Sequence, residues 1–315
     1  MINWNKSNCI FKANGQFPFM KSHTAMCIPY HLHDSIFRIY FSTRGERYNP
    51  QVGYIEIDIN NTSQILNISE NPVLENGPES HFDYNGLYSG CVVKRNNELW
   101  MYYSGRINLE NDMYQVSAGL AISKDNGLSF EKYSPSPVHQ RNIHDPWLVS
   151  TPFVMPYNNG WRMYYLSGRR IERYSNTDYK SFYDIRSAFS NDGIEWKSEN
   201  KIHIPINDKI SNVAAPNIIR ISDKYYFMTY SYVEENNGYQ LGAAYSENLN
   251  DWTICNSIFD SVKKENWDKT RAYPCSFLYE DKIYVVYGAD NFGKEGIGLL
   301  NVNTTELLNW IEKNK

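Results

Sequence analysis

Short aromatic segments recur along the chain at nearly regular intervals and indicate a repeated β-structure. Five segments of alternating aromatic and aliphatic residues begin at positions 37, 99, 161, 225 and 283, so successive starts are 62, 62, 64 and 58 residues apart. A stretch of small residues precedes each segment, and a further apolar segment, a polar turn and in most units a fourth segment follow it. Four strands in a unit of this length predict a β-propeller blade. We therefore expect an all-β protein, a five-bladed β-propeller.

The start of the chain predicts how the ring of blades closes. Trp4 and Ile10 repeat the six-residue Trp-to-Ile spacing that follows Trp196 and Trp252 in two of the predicted fourth strands. The last unit has no fourth strand of its own. We expect residues 2–12 to supply the outer strand of the last blade, because closing the ring removes open sheet edges.

The end of the chain predicts a short helix, since residues 304–315 carry apolar side chains at near-helical spacing. Large all-β folds of this length often form one unit, so residues 1–315 are expected to be a single domain. The 31 basic and 35 acidic side chains leave a formal net charge of −4. That balance argues against a general nucleic-acid or membrane-surface partner, which would require a basic excess.

Cysteine usage and the N-terminal sequence bear on location. The five cysteines are scattered without a Cys-x-x-Cys pair, which is typical of reduced thiols and not of a disulfide framework or zinc site. The first residues lack the basic and then apolar layout of a signal peptide, and no apolar run approaches the ~18 residues that span a bilayer. We expect a cytoplasmic protein.

Ligands of a propeller bind on its axis, where first strands begin and second strands end. Arginine side chains occur at these positions in four of the units: Arg44, Arg106, Arg169 and Arg271. Guanidinium groups bind carboxylate or phosphate through two parallel hydrogen bonds, so this set predicts an anionic ligand. The alternative is that each arginine pairs with a nearby carboxylate, such as Glu46, Glu172 or Asp268, and only braces a loop.

Candidate acid–base groups occupy the same positions. Asp83 and Asp145 precede the first strands of neighbouring units, and two carboxylates on either side of a sugar are what glycosidic cleavage needs. His23 is a third catalytic candidate, and His144 is a candidate ligand donor. The alternatives are that the aspartates serve as turn residues and that the histidines are structural.

Aromatic and amide side chains complete the predicted binding site. Those expected to stack on a sugar ring or bind its hydroxyl groups are Asn85, Tyr88, Trp147 and Tyr273. The sequence contains no Gly-rich phosphate loop, no His-Glu-x-x-His pair and no Gly-x-Ser-x-Gly elbow. We expect no cofactor and assign no metal ligand, although an axial ion needs no linear signature.

These motifs resemble the five-bladed propeller glycosidases, the superfamily of glycoside hydrolase families 32, 43 and 68 and the mannoside phosphorylases. The five repeats carry the resemblance over essentially the whole chain. The sequence 144–146, His-Asp-Pro, is similar to the family's Arg-Asp-Pro, and 214–216, Ala-Ala-Pro, precedes the fourth aromatic segment. The chain looks closest to uncharacterised bacterial glycosidase-like proteins, some tied to surface-polysaccharide pathways.

The chain departs from the family at two of its three acidic positions. The resemblance implies an aspartate near 22–26, where the sequence reads Ser-His-Thr-Ala-Met, and a general-acid glutamate near Ala214. Only the third acid maps, onto Asp145, which in the hydrolases orients the substrate and stabilises the transition state.

Two functions follow as hypotheses. One is a glycoside hydrolase-like enzyme, or a transferase or phosphorylase variant, that cleaves or transfers a glycosidic bond of an anionic sugar. The other is a non-catalytic carbohydrate-binding propeller.

Overall fold

Antiparallel strands make up most of the computed structural model, which describes residues 2–46, 49–110, 113–175, 178–234 and 238–315. One four-stranded sheet contains β2 (Ser22–His33), β3 (Ile36–Arg44), β4 (Pro50–Asp58) and β5 (Asn61–Ile68). Another contains β6 (Leu87–Arg95), β7 (Glu98–Asn108), β8 (Tyr114–Ser123) and β9 (Glu131–Lys132). Each strand in these two sheets pairs with the next along the chain, so both are meanders.

The largest sheet has eight strands and consists of two such meanders. The first contains β10 (Val149–Tyr157), β11 (Gly160–Arg173), β12 (Tyr179–Ser190) and β13 (Lys197–Ile204). The second contains β14 (Ile210–Arg220), β15 (Tyr226–Glu234), β16 (Gly238–Ser246) and β17 (Thr253–Ile254). A single parallel bridge, between Tyr183 and Asn212, joins the two.

The last sheet combines both ends of the chain. It contains β1 (Asn5–Lys6), β18 (Arg271–Tyr279), β19 (Lys282–Ala289) and β20 (Gly296–Asn303). In it, β1 pairs with β20, and a further bridge joins Phe11 to Ile297. The N-terminal segment thus pairs with the last long strand through Asn5–Lys6 and the Phe11 bridge.

Helices are short in the described part of the chain. They are a 3₁₀ turn at Asn256–Phe259, a four-residue turn α1 at Asp290–Gly293 and the C-terminal helix α2 at Thr304–Lys313. The helix α2 begins after Asn303, whose side chain accepts a hydrogen bond from the Thr305 amide. None of these helices combines the length and the apolar composition that crossing a bilayer requires. The expectation of a mostly β protein is confirmed.

The first strands of the five four-stranded units contact one another in a cycle. Strand β2 contacts β6, β6 contacts β10, β10 contacts β14, β14 contacts β18, and β18 contacts β2. Each first strand carries a register shift near its middle, typical of β-bulges, which bend a strand. The beginnings of these strands therefore lie around one central region.

Buried tyrosines explain part of the aromatic repeat, because they tie neighbouring units together. The Tyr40 hydroxyl donates to the Gly127 carbonyl at 2.9 Å, and the Tyr102 hydroxyl donates to the Gly193 carbonyl at 2.8 Å. Tyr164 likewise donates to a carbonyl oxygen in the turn of the following unit, at 2.7 Å. Each second strand in this series thus satisfies a buried carbonyl in the next unit.

Candidate functional site

A cavity of about 310 Å³ lies where the five first strands converge. Residues from all five four-stranded units line it. Five of them are residues that the sequence predicts for the site: His23, Arg44, Tyr88, Arg106 and Tyr273. Their convergence follows from the topology, because the second strands run back antiparallel and end beside the starts of the first strands.

The two cavity arginines have no carboxylate partner among the residues that the structure describes. The Arg106 Nε donates to Asn108 Oδ1 at 2.8 Å, and its guanidinium lies 4.6 Å from the centroid of the Tyr114 ring. Arg44 has neither a side-chain hydrogen bond nor an ion pair to any residue in the described part of the chain. The bracing alternative through Glu46 does not hold for Arg44, because Glu46 pairs with Lys21 at 3.6 Å. Two positive charges therefore face the cavity without a counter-charge from the described ranges.

His23 is buried beside these charges and is neutral at physiological pH. Burial, together with the positive charges of Arg44 and Lys294, lowers the pKa of His23 to about 4. Its Nδ1 lies 2.8 Å from the Ser22 hydroxyl. The His23 backbone has a φ of 68°, a left-handed conformation that is unfavourable for a non-glycine residue and is found more often at functional sites. A neutral imidazole here can accept or donate one hydrogen bond to a ligand.

Three tyrosines that the sequence did not predict also line the cavity. Tyr114 begins the third strand β8, Tyr183 lies within the third strand β12, and Tyr239 lies near the start of the third strand β16. Burial raises the pKa of Tyr114, Tyr183, Tyr239 and Tyr273, so their hydroxyl groups stay protonated at neutral pH. They can donate to oxygen atoms of a sugar or an anion. The signal existed in the sequence, because third strands begin where second strands end.

Asp145 is placed elsewhere, inside its own sheet. It is fully buried, and its carboxylate accepts hydrogen bonds from Ser167 at 2.7 Å, Ser198 at 2.8 Å and Tyr165 at 3.0 Å, besides one from Asn142. Burial alone would raise the pKa of Asp145, but these hydrogen bonds outweigh it and the pKa is lowered. The carboxylate is thus ionised and surrounded by donors, and it does not line the cavity.

Asp83 occupies the equivalent position in the preceding unit. It is fully buried, accepts from the Tyr103 hydroxyl at 3.0 Å and pairs with Lys132 at 2.6 Å. Asp268 and Tyr287 repeat the same aspartate–tyrosine contact at 2.8 Å in the last sheet. The expectation that Asp83 and Asp145 face one another across a sugar is not met, since neither lines the cavity. Each instead fixes the loop before a first strand to the second strand of its own unit.

Two of the four predicted arginines follow the bracing alternative. Arg169 donates to the carbonyl of His144 and lies 3.8 Å from Asp184. Arg271 is buried and pairs with Asp268 at 3.0 Å. Arg169, Arg271 and His144 do not line the cavity.

Asn85 and Trp147 support the cavity from outside. The Asn85 side chain accepts from the Asn108 amide at 2.9 Å, and the Asn85 amide donates to the Arg106 carbonyl at 3.0 Å. The Trp147 ring packs against the rings of Tyr114 and Tyr183, with centroid distances of 6.0 and 5.8 Å. Both therefore position residues that line the cavity without lining it themselves.

The chemistry of the cavity is cationic and hydroxyl-rich. No carboxylate is among the described residues that line it. Across the described ranges, no group of three or more His, Cys, Asp or Glu side chains is arranged to hold a metal ion. The arrangement suits an anion that accepts hydrogen bonds from arginine and tyrosine, with an imidazole beside it.

Comparisons of the sequence agree with this fold. Residues 47–192 match the model of the glycosyl hydrolases family 32 N-terminal domain. An uncharacterised protein of Mycobacterium tuberculosis (strain ATCC 25618 / H37Rv), Rv1502, is 28% identical over 299 residues, which cover 94% of this chain and 98% of that protein.

Solved structures give the same picture over nearly the full length. The β-1,2-mannobiose phosphorylase from Listeria innocua, in complex with β-1,2-mannobiose, superposes with a TM-score of 0.72 at 11% identity and covers 99% of both chains. A thermostable family-43 glycoside hydrolase superposes with a TM-score of 0.60 at 16% identity, over 89% of this chain and 88% of its own. At these identities the superpositions establish the fold alone. The resemblance to the propeller glycosidases is confirmed.

Proposed function

We propose that this protein is a carbohydrate-active protein that binds an anionic sugar in the central cavity and acts on its glycosidic bond. The observation that carries the proposal is the pair of cavity arginines, Arg44 and Arg106, which have no carboxylate partner among the described residues. Both guanidinium groups are half-buried, and a cation that is partly removed from water without a counter-ion is stabilised when an anion binds. The glycosidase-like fold supports a carbohydrate as the carrier of that anion.

The size and the donors of the cavity fit this ligand. Its volume of about 310 Å³ is at the lower end of small-molecule sites and suits one sugar unit with a charged group. Phosphate and carboxylate oxygens accept hydrogen bonds from guanidinium groups, while protonated tyrosine hydroxyls donate to the sugar. Tyr88 and Tyr273 keep the roles that the sequence predicts for them, and His23 becomes the acid–base candidate closest to the anion.

A transfer of the glycosidic bond to phosphate suits this cavity better than hydrolysis by two carboxylates. Hydrolysis by paired carboxylates requires two acids on either side of the bond, and the described lining offers none. In phosphorolysis an oxygen of hydrogenphosphate forms the new bond to the anomeric carbon while the glycosidic C–O bond breaks, and the leaving oxygen takes up the proton that the phosphate carried. The arginines would hold the phosphate, and the fold likeness to a mannoside phosphorylase supports this variant.

The second candidate is a carbohydrate-binding protein without catalysis. The specific observation in its favour is that Asp145, the one family acid that maps onto this chain, is saturated with hydrogen bonds outside the cavity. The two candidates share the ligand and differ in turnover.

We further propose that residues 1–315 form one five-bladed propeller in the cytoplasm. The cycle of contacts among first strands supports five blades, and the pairing of β1 with β20 supports closure by residues 2–12. The eight-stranded sheet then corresponds to two blades joined at one bridge. Five free cysteines support a reducing compartment. A role in surface-polysaccharide metabolism would supply charged sugars of the required kind.

A thermal-shift screen tests the anionic ligand. The ligands are inorganic phosphate, hexose phosphates, uronic acids and neutral hexoses, and any that binds the native state raises the unfolding midpoint. We expect shifts with the anionic ligands alone, abolished in Arg44→Ala and Arg106→Ala. The control is Arg220→Ala, which removes an exposed arginine paired with Asp223 at the surface. Shifts with neutral sugars only, or equal shifts in the cavity variants, would exclude the arginine site.

A turnover assay separates the enzyme from the binding protein. Ligands that give shifts are offered as aryl glycosides with and without inorganic phosphate, and release of the aryl alcohol is followed. Phosphate-dependent release identifies the phosphorylase variant, and release without phosphate identifies a hydrolase. Binding without release under either condition leaves the non-catalytic candidate.

A further inference from the structure

The turn α1 beside the cavity has an unusual backbone. Its residues Asp290, Asn291, Phe292 and Gly293 have φ values of 24°, 46°, 63° and 85°. Left-handed conformation is unfavourable for residues with a Cβ, and runs of it are rare. Three successive non-glycine residues in this region store backbone strain, which is found at ligand-binding sites.

The neighbouring chain segments hold this turn in place. The Asp290 carboxylate accepts from the Thr270 hydroxyl at 2.9 Å, and the Thr24 hydroxyl donates to the Gly293 carbonyl at 3.0 Å. Gly293 packs so closely on β2 that a Cβ there would lie 2.5 Å from the Thr24 carbonyl oxygen. Both ends of the turn are fixed, so the strain persists in the folded protein.

The strained turn presents one aromatic ring to the cavity. Phe292 lines the cavity and yet is 46% exposed, so it contributes little to any apolar core. Its ring stacks on Tyr273, with centroids 6.3 Å apart and planes at 26°, and meets Tyr239 edge-on at 5.6 Å. The three rings form a half-open aromatic surface, which we call the aromatic platform.

The aromatic platform adjoins the cationic part of the cavity. Tyr273 lines the same cavity as Arg44 and Tyr88. A ligand whose charged group sits at Arg44 would therefore place its next atoms over the platform. Aromatic faces bind the apolar C–H face of a sugar ring, while the adjacent tyrosine hydroxyls can bind the ring's oxygens.

We propose that the aromatic platform of Phe292, Tyr239 and Tyr273 is a sugar-ring subsite, and that Phe292 determines which anionic sugars bind. This inference rests on the proposed function, because it assumes that the arginines bind the anion. It adds that inorganic phosphate uses only the arginines, whereas a hexose phosphate also needs the platform.

Binding titrations with two kinds of probe test the subsite. Calorimetry measures the dissociation constants of inorganic phosphate, glucose 1-phosphate and mannose 1-phosphate for wild type, Phe292→Ala and Phe292→Tyr. We expect Phe292→Ala to weaken the better hexose phosphate by about tenfold, the loss of one good stacking contact. Inorganic phosphate should stay within twofold, and Phe292→Tyr should restore the hexose phosphate. The control Tyr133→Ala removes an aromatic ring of similar exposure, 49%, away from the cavity.

A stability measurement separates a ligand contact from a structural role. Glycine adopts positive φ without strain, so Phe292→Gly should unfold at the same temperature as wild type or higher while losing hexose phosphate affinity. A midpoint below that of wild type would show that the ring stabilises the fold, and would overturn the inference. Equal loss of phosphate and hexose phosphate in Phe292→Ala would also overturn it. If wild type binds neither probe, the arginine site itself fails.

Discussion

Buried carboxylates in this protein are explained by the hydrogen bonds around them. Asp145 and Asp83 looked catalytic in the sequence because both precede first strands near the axis. In the structure Asp268 occupies the same position in its unit. All three carboxylates accept a hydrogen bond from a tyrosine hydroxyl in the second strand of their own unit. A contact that recurs at equivalent places in three units is best explained by the unit's own stability.

Replacing Asp145 by asparagine should destabilise the fold. Four donors surround the carboxylate, and an amide NH₂ among them leaves buried groups without acceptors. We expect Asp145→Asn to lower the free energy of unfolding by about 2–3 kcal/mol, measured by urea denaturation. Asp251→Asn, at a carboxylate that is 78% exposed, is the control. Unchanged stability together with lost turnover would instead restore the catalytic assignment.

Individual strands depend on partners from distant parts of the chain. The N-terminal segment is the clearest case, since Ile2 is buried and the Trp4 indole donates to the Ile258 carbonyl at 2.8 Å. Lys6 pairs with Asp268 at 2.9 Å, so the same segment also binds the carboxylate that Arg271 and Tyr287 contact. These contacts explain how a strand of two paired residues stays in place.

Removing residues 2–12 should therefore expose the edge of β20. We expect the truncated protein to unfold at a lower temperature and to associate as its concentration rises, because an unpaired edge recruits other strands. Trp4→Ala should cost about 2 kcal/mol, less than a fully buried tryptophan. Calorimetry and sedimentation velocity measure both effects, with Tyr174→Ala at a 69% exposed ring as control. A truncated protein with wild-type stability would contradict the pairing of β1 with β20.

The whole molecule should lose stability on mild acidification. Burial lowers the pKa of both His139 and His203 to about 4, with the positive charges of Arg162 and Lys201 adding to the effect at His203. The unfolded chain takes up these protons near pH 6.5, so the native state binds fewer protons between pH 6.5 and 4. The free energy of unfolding should then fall by up to about 1.4 kcal/mol per pH unit for each histidine.

Urea denaturation at several pH values measures this slope. His139→Gln and His203→Gln should each flatten it, whereas Tyr174→Ala, at an exposed ring, should not. A stability that is constant from pH 6.5 to 4.5 would refute the buried neutral state. The lowered pKa of Asp145 acts in a separate window, since its contribution is lost only as the pH falls below the ordinary range of a carboxyl group.

The net charge of the whole molecule is opposite in sign to the charge of the cavity. The protein carries a formal net charge of −4, yet the described cavity lining carries two arginines and no carboxylate. We expect the dissociation constant for inorganic phosphate to rise severalfold between ~0.05 and ~0.5 M NaCl, because salt screens partly exposed charges. Isothermal titration checks this, and a neutral methyl glycoside that binds should show no such dependence. A flat response for phosphate would argue against binding by Arg44 and Arg106.

The sequence by itself determined the strand order, the mostly β fold and the approach of the N-terminal segment to the last sheet. These follow from local periodicity and repeat spacing, which are written in consecutive residues. The sequence also predicted five residues that line the cavity, because antiparallel topology places strand starts beside strand ends. They are His23, Arg44, Tyr88, Arg106 and Tyr273.

Only the tertiary structure decided which charged groups face the cavity. Arg44 and Arg169 occupy similar places in the repeat, yet Arg44 is unpaired among the described residues and Arg169 is bound to a carbonyl in its own unit. The Asp145 side chain does not line the cavity, because three hydroxyl groups and one amide group from separate parts of the chain donate hydrogen bonds to its carboxylate. The direction of a side chain depends on such long-range partners, and no local pattern of the sequence contains them.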